Sequence, residues 1–373
     1  EFRMRVTYSG YYGAMNSGDD AFIEVSTWGA SKFWSADEHL VFASKLPEIE
    51  AEALNYSPHS SYFKFAHAIT DIFLSDFFVS AGGSTFHSAL KATDLRTYAK
   101  IKKILSLKGK TGAIGISLGP YRDSKAEKNT VKYLETLDFL ALRDNRSYEI
   151  ACSYNLHCPV VNAFDLAALL PNVYGYHTDD TLGFLQKTRR TRKLIGVSLC
   201  NFESYTGGDN QKELKRNNFL ISLLRELQKN ENIKFRFFVF NGNPKIGDVE
   251  LTKQAIISLN LASDKFELVP YLANVKLTFD KVSECDALIS TRLHASVFAC
   301  YAKVPFFLVE YHQKCTDFLD GVGQYEKYRL YDGDVEVSKS ANEIVSVLNG
   351  SHRQPIFLEE TIKKALLNFT SFI

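Results

Sequence analysis

Residues 285–314 read CDALISTRLHASVFACYAKVPFFLVEYHQK. DALIS is a short apolar run bounded by polar residues, which marks a strand buried on both faces. TRLH is the turn after it, ASVFACYA the following helix, and VPFFLVE a second buried strand that ends on Glu310, Tyr311, His312 and Lys314. Strand, helix and strand in this order predict a parallel sheet covered by helices. Arg292 and His294 then fall at a strand's carboxyl end and a helix's amino end. Free backbone amides and the helix dipole favour an anion there, and arginine adds two-pronged recognition of carboxylate or phosphate. The bland alternative is an arginine paired with a core carboxylate, beside a satisfied core histidine.

The same rhythm recurs along the chain. MRVTYS, DFFVSAGG, GAIGISLGP and DFLAL read as buried strands before residue 170, and KLIGVSL and KFRFFVF join DALIS and VPFFLVE after residue 192. Helical stretches such as GDDAFIEVSTWGA and QKELKRNNFLISLLRELQ separate them. At 373 residues the chain exceeds one ordinary core. The expectation is an α/β protein with a Rossmann-like domain over 4–170, a linker over 171–192, a second Rossmann-like domain over 193–350 and a C-terminal helix over 351–373. By analogy with two-domain architectures of this kind, that helix is expected to cross back to the first domain.

Composition narrows the function. Lys plus Arg number 44 against 43 Asp plus Glu, which leaves no electrostatic footprint for nucleic acid. Six cysteines are scattered without a CxxC pair, so buried reduced thiols and a cytoplasmic location are expected. No apolar stretch is long enough to span a bilayer, and no basic-then-apolar leader opens the chain. No His/Asp/Glu cluster has metal-ligand spacing, so neither metal nor cofactor is expected. Lys187, Arg189, Arg190, Arg192 and Lys193 form a basic run that reads as a solvated linker, with contact to anionic lipid or a lipid-linked diphosphate as the sharper reading.

Other motifs sit at predicted strand ends. NSGDDAFIE sets Asn16, Gly18, Asp19 and Asp20 where the first strand meets the first helix. Capping explains one carboxylate well and two less well, and the carboxyl end of a parallel strand is also where open α/β sheets bind ligands. SAGGSTFHS places Gly82, Gly83, Ser84 and His87 after another strand, where glycines let backbone approach a ligand or make a tight turn. GISLG matches the nucleophile-elbow pattern around Ser117, but Pro120 opposes the immediate helix a catalytic serine needs. Arg143 and Asp144 in ALRDNRS are accounted for by a local salt bridge.

Taken in order, these stretches resemble the polysaccharide pyruvyl transferases from residue 4 to roughly 350. The matching residues are Gly18–Ala21, the SAGGS turn, Gly119–Pro120, Arg143–Asp144, Arg292–Ala295, and Tyr311 with Lys314. The resemblance implies a fold like the GT-B glycosyltransferases, two Rossmann-like domains facing a cleft. It also implies phosphoenolpyruvate as donor and a saccharide acceptor, possibly lipid- or nucleotide-linked, with a cyclic pyruvate ketal as product. One departure is that Cys200 and Asn201 stand where relatives often carry an arginine, which leaves an anion contact to another residue such as Lys314.

The expected roles follow. Arg292 and His294 are the catalytic candidates, His294 as acid and base. Ser290, Leu293, His312 and Lys314 complete the donor side with Arg292. Asn16, Gly18, Asp19, Asp20, Gly82, Gly83, Ser84, His87 and Ser117 are assigned to the acceptor. The protein is expected at most to touch a membrane peripherally, at its inner face. A nucleotide-sugar glycosyltransferase on the same fold, and a non-catalytic saccharide-binding relative, are the competing readings.

Overall fold

The computed structural model describes residues 3–43, 45–55, 64–86, 94–176, 190–331 and 336–372. The chain divides into two units, the first comprising residues 1–14, 19–173 and 359–373, the second residues 15–18 and 174–358.

The first unit runs β1 (Arg5–Ser9), α1 (Ser17–Trp34, whose first two residues count with the second unit), β2 (Glu38–Val41), β3 (Leu54–Asn55), α2 (Lys64–Leu74), β4 (Phe77–Phe86), α3 (Leu95–Ile104), β5 (Lys110–Leu118), α4 (Ser124–Leu134), β6 (Phe139–Leu142), α5 (Asn145–Ser153), β7 (Val160–Asn162) and, after one 3-10 turn, α6 (Leu170–Val173). Its strands lie in the order β3-β2-β1-β4-β5-β6-β7. The second unit has β8 (Lys193–Ser198), α7 (Glu203–Thr206), α8 (Asn210–Leu227), β9 (Ile233–Phe238), α9 (Val249–Leu259), β10 (Phe266–Val269), α10 (Val275–Ser283), β11 (Ala287–Ser290), α11 (Leu293–Tyr301), β12 (Phe306–Glu310), α12 (Gln313–Val322), β13 (Arg329–Tyr331) and α13 (Val337–Leu348). Its order is β10-β9-β8-β11-β12-β13.

Every strand pair in both sheets is parallel. Helices cover both faces, which explains why central strands are buried along their whole length instead of alternating: β6 and β11 have no exposed residue at all. In the second unit Phe235, Phe237, Ile289 and Phe307 pack with Leu220, Leu223 and Leu224 of α8. In the first, Ile116, Leu118, Leu140 and Leu142 pack with Tyr133 and Leu134 of α4.

The turn read as TRLH is tighter than its spelling suggested. Arg292 is the N-cap of α11, and the helix begins at Leu293, so His294 already lies in its first turn. β2, β7 and β10 are too short, at three or four residues, to spell a continuous apolar run, and the edge strands β7 and β10 are also only partly buried.

The last helix, α14 (Leu358–Thr370), returns to the first unit. Asn368 is fully buried there: its Oδ1 accepts from Gly115 N at 2.7 Å and its Nδ2 donates to Phe164 O at 2.9 Å. Trp34 Nε1 donates to Phe369 O at 2.9 Å, and a Cβ on Gly29 would stand 2.3 Å from the Phe369 ring. A sequence-distant segment is thus tied to β5, to the stretch after β7 and to α1 by buried hydrogen bonds. Asn368→Leu keeps the branched shape but strands the buried Gly115 N–H, so it should cost about 1–3 kcal/mol in urea unfolding. An unchanged midpoint would show that the helix end is not anchored this way.

Candidate functional site

The strand order of the second unit reverses between β8 and β11, since the chain steps outward from β8 through β9 to β10 and then returns to the other side. Ligands of open parallel sheets bind outside the carboxyl ends at such a reversal. Cys200 follows β8 and Arg292 follows β11 at that point, with Tyr311, His312 and Lys314 after the neighbouring β12. Arg292 Nε donates to Asp248 Oδ2 at 2.8 Å and Nη2 to Oδ1 at 2.5 Å, while Asp248 also accepts from Asn241 N at 3.1 Å. Asp248 is 0% exposed, and burial raises its carboxyl above the ordinary range against the pull of the guanidinium. The two-pronged face of Arg292 that the sequence reading reserved for a ligand is therefore engaged by Asp248. Its Nη1 meets no partner among the described residues, and 21% of the side chain stays accessible.

Aromatic rings and a second pair of ions frame the next strand end. His312 caps α12, its Nδ1 accepting from Lys314 N at 3.2 Å, so the neutral ring carries its proton on Nε2. Lys314 Nζ lies 5.6 Å from the Phe202 ring centre and 5.8 Å from that of Tyr311. The other partner of Tyr311 is Arg216, with Cζ at 4.9 Å, itself buried and forked onto Glu203 at 2.9 and 2.6 Å. Cys200 Sγ donates to Tyr311 OH at 3.8 Å; burial pushes the thiol up, and Arg292 and Lys314 only partly oppose that. Arg216 lies on α8, the longer helix after β8. Glu203 and burial make it a support for Tyr311. Ser290 Oγ bonds the Arg292 carbonyl, and Leu293 is buried in the first turn of α11, so both shape the Arg292 turn.

His294 packs against the segment 15–18, which belongs to the same unit. A Cβ on Gly18 would stand 2.4 Å from His294 Nδ1, so only glycine lets the imidazole lie on this backbone. The segment is stapled in place by Ser17 N to Phe240 O at 2.9 Å, Gly242 N to Met15 O at 2.8 Å, and an antiparallel bridge between Asn16 and Asn241. Asn16 Oδ1 accepts from Gly18 N at 3.0 Å, which is a local capping role.

In the first unit the strand order reverses between β1 and β4. Gly82 and Gly83 of β4 have φ of +78° and +82°, in the left-handed region that favours glycine, and a Cβ on Gly82 would collide with Phe22 at 2.2 Å. The Asp19 carboxylate lies within 4.0 Å of the place a Gly83 Cβ would take. Asp19 is half-buried beside this turn, whereas Asp20 is only 1% exposed, so the acidic pair is split between two environments. Tyr12 OH donates to Ala81 O at 2.6 Å, and its ionisation is pushed up by burial and then by Asp19.

Ser117 and Ser84 join a different network. Arg143 Nε donates to Ser117 Oγ at 2.5 Å, Nη1 to Asp165 Oδ2 at 3.2 Å and Nη2 to Ser84 Oγ at 3.4 Å. Ser117 Oγ donates to Asp144 Oδ2 at 2.8 Å, and Asp144 Oδ1 caps α5 by accepting from Ser147 N at 2.7 Å. Arg143 and Asp144 are thus linked through Ser117, and the salt bridge of Arg143 runs to Asp165. Because Arg143 donates to its oxygen, Ser117 has a lone pair committed to a cation and serves as a link between Arg143 and Asp144.

His87 lies outside the described residues, as do Lys187 and Arg189 of the basic run. In the described part of that run Arg190 pairs with Asp286 at 3.8 Å and Arg192 with Asp264 at 2.9 Å, while Lys193 is exposed at the start of β8. The run borders a recess of about 620 Å³ in which Lys234 and Arg236 meet Glu267 and Glu284.

A family model described as polysaccharide pyruvyl transferase matches residues 42–313. The chain belongs to the polysaccharide pyruvyl transferase family. The matched span of this pyruvyl transferase family member takes in Gly82–Ser84, Ser117, Asp248, Arg292, His294 and His312; Asn16–Asp20 and Lys314 fall outside it. None of the curated proteins matches the chain by sequence. Among solved structures it is similar to the UDP-GlcNAc 2-epimerase of Methanocaldococcus jannaschii, at 11% identity over 95% of each chain with a TM-score of 0.60. The enzyme of that name from Neisseria meningitidis, solved with UDP-GlcNAc, is 12% identical over 99% of this chain and 97% of the other, with a TM-score of 0.57. At such identities the likeness concerns the fold, which is of GT-B type.

Asp248 and Arg292 should behave as a coupled pair. Asp248→Ala leaves a buried cation uncompensated and should cost about 3–5 kcal/mol in chemical unfolding. Adding Arg292→Met should recover much of that loss, since the stranded charge is then gone. Additive losses in the double variant would show that the fork is not formed.

Proposed function

We propose that this protein transfers pyruvate from phosphoenolpyruvate onto two hydroxyls of a saccharide as a cyclic ketal. The observation that carries this reading is the set at the β8–β11 reversal: Arg292 held by Asp248 with Nη1 turned to no partner, His294 in the first turn of α11, and Lys314 after β12. A small dianion suits this set, and membership in the pyruvyl transferase family points to the same donor.

Ketal formation requires a proton on the methylene carbon of phosphoenolpyruvate and attack by a hydroxyl on the carbon that bears phosphate. The phosphate ester bond breaks to release inorganic phosphate, and a second hydroxyl closes the ring at the same carbon. The methylene takes up one proton, the two hydroxyls give up two, and phosphate carries the balance. We assign Arg292 Nη1 and Lys314 to the donor's anionic groups and His294 to the proton transfers, because an imidazole exchanges protons near neutrality. His312 stands beside Lys314 on the donor side. Asp19 and the Gly83 backbone are assigned to saccharide hydroxyls; Asp20, buried, supports the turn. No further cofactor is needed. The six unpaired cysteines support a reducing, cytoplasmic setting.

The structural relatives solved with UDP or UDP-GlcNAc make a nucleotide sugar the alternative ligand. Thermal-shift titration separates the two, since a ligand that binds only the folded state stabilises it in proportion to the logarithm of its saturation. Phosphoenolpyruvate should shift the melting temperature and UDP-GlcNAc should not; the reverse result would select the glycosyltransferase reading. Mass spectrometry of acceptor saccharides should show a gain of one pyruvate less one water, and no gain under any acceptor would favour a binding protein.

His294→Ala should lower turnover by about 10²- to 10⁴-fold while phosphoenolpyruvate still binds. Gly18→Ala should reproduce much of that loss without touching a titratable group, because the added methyl displaces the imidazole. Arg292→Lys should weaken donor binding nearly as much as Arg292→Ala, because lysine cannot keep the fork on Asp248 and still present a second edge. Normal turnover in His294→Ala would return the histidine to the core.

A further inference from the structure

Exposed apolar side chains concentrate at one corner of the first unit. Among the described residues fifteen large hydrophobic side chains are exposed, and five of them sit there: Leu74 at 63%, Ile101 at 37%, Ile104 at 68%, Leu105 at 59% and Leu107 at 45%. Ile101, Ile104 and Leu105 share one face of α3 by their i, i+3, i+4 spacing. Leu74 ends α2 and is brought to the same corner by Lys102, whose Nζ reaches Ile72 O at 3.0 Å and Ser75 O at 2.5 Å. Leu107 N donates to Lys102 O at 3.2 Å, which sets that side chain beside the same turn. Gly109, at a φ of +109°, seals the loop, since a Cβ there would stand 2.5 Å from Ser75 O. These apolar groups are therefore presented by a fixed scaffold, and single scattered hydrophobics do not explain their grouping.

Charge says what covers them. Residues 95–110 contain six basic side chains and no acidic one, in a chain whose net charge is +1. Arg96 is paired with Asp94 and Lys103 with Asp138. Lys100 and Lys108 meet no partner among the described residues and flank the apolar stripe. The nearby acids are committed elsewhere: Asp76 accepts from Arg5 N at 2.9 Å and Asp138 from Thr111 N at 2.8 Å. An apolar stripe edged by lysines is the pattern of a helix that lies in a membrane interface, with leucine and isoleucine among the acyl chains and lysine at anionic headgroups.

We propose that the corner formed by Leu74, Ile101, Ile104, Leu105 and Leu107, with Lys100 and Lys108, docks this protein peripherally on an anionic phospholipid bilayer. The inference stands apart from the chemistry proposed above, because it predicts binding to lipid in the absence of any substrate. It also moves the membrane contact away from the basic run before β8, whose described arginines are occupied by Asp286 and Asp264.

Co-sedimentation of the full chain with vesicles tests it, using phosphatidylcholine alone and phosphatidylcholine mixed equally with phosphatidylglycerol. The protein should pellet with the mixed vesicles and much less with phosphatidylcholine alone. The double variant Ile104→Ser, Leu105→Ser changes only exposed positions and should weaken partitioning at least tenfold. Lys100→Glu with Lys108→Glu should weaken it by more than fivefold per residue and abolish its sensitivity to salt. Leu214→Ser, at an isolated exposed leucine of α8, should bind as the unaltered protein does. No binding to mixed vesicles, or equal binding by the Ile104 and Leu105 variant, overturns the proposal. A change of oligomeric state in that variant, seen by light scattering with vesicle binding intact, overturns it in favour of a second copy of the chain.

Discussion

A carboxylate that is 0% exposed needs hydrogen bonds or an opposite charge to remain ionised, and in the second unit Asp248 has both in Arg292 and the Asn241 amide. Moving either ion out of water alone would cost several kcal/mol, whereas the fork with the Asn241 amide satisfies the carboxylate. Such a pair adds little net stability over well-packed apolar residues, so its value lies in orientation. With Nε and Nη2 committed, the guanidinium plane cannot swing, and the edge that remains is Nη1. Arg292 is also the backbone N-cap of α11, so the helix's first free amides follow it directly in the chain.

The two units apply one plan. Each sheet steps outward for three strands, returns past its first strand and continues in the opposite direction. At the reversal of the first unit the glycines of β4 lie beside Asp19, and at that of the second Arg292 lies beside Cys200 and Asp248. The acidic side chain in one place and the cations in the other suit different ligands, hydroxyls in the first case and an anion in the second. Residues 15–18 are the exception to the division, counting with the second unit because two backbone hydrogen bonds, which form one antiparallel bridge, hold them to the segment just after β9 and because His294 rests on Gly18.

Much of this was legible in the sequence, for physical reasons that also explain what was not. Central parallel strands are buried on both faces, so DALIS, GAIGISL and VPFFLVE read as unbroken apolar runs. Arg292 and His294 stood out because charge interrupts such a run. Asp248 did not, because it precedes an ordinary helix 44 residues away and nothing local marks its burial. Arg216 in KELKRNN has the spelling of a solvated helix face, yet it is 1% exposed and forked onto Glu203. Adjacent helical residues point about 100° apart, so DD in the first turn of α1 had to divide, and only packing could tell which aspartate went inside. The lysines of α3 look like a solvated face until the exposed Ile101 and Ile104 among them are seen.

Charge balance limits what the second site can hold. Arg292 is matched by Asp248, Arg216 by Glu203, and Arg329 by Glu310 at 2.5 Å, so most of the positive charge around these strand ends is internally compensated. Cys200, with its thiol pushed up by burial, stays neutral and adds no anion of its own. Under the proposed function, recognition of the donor's anionic groups falls to one guanidinium edge, to the amides that open α11, and to Lys314 over its two rings. Helix amides contribute about 0.3–1 kcal/mol each way near the surface and more when partly buried, and they act within the first turn only. Arg292 and Lys314 both act on the Cys200 thiol, so the proposed donor has to carry its charge on neighbouring atoms. Carboxylate and phosphate on one three-carbon unit meet that condition; an extended polyanion would leave most of its charge without a partner.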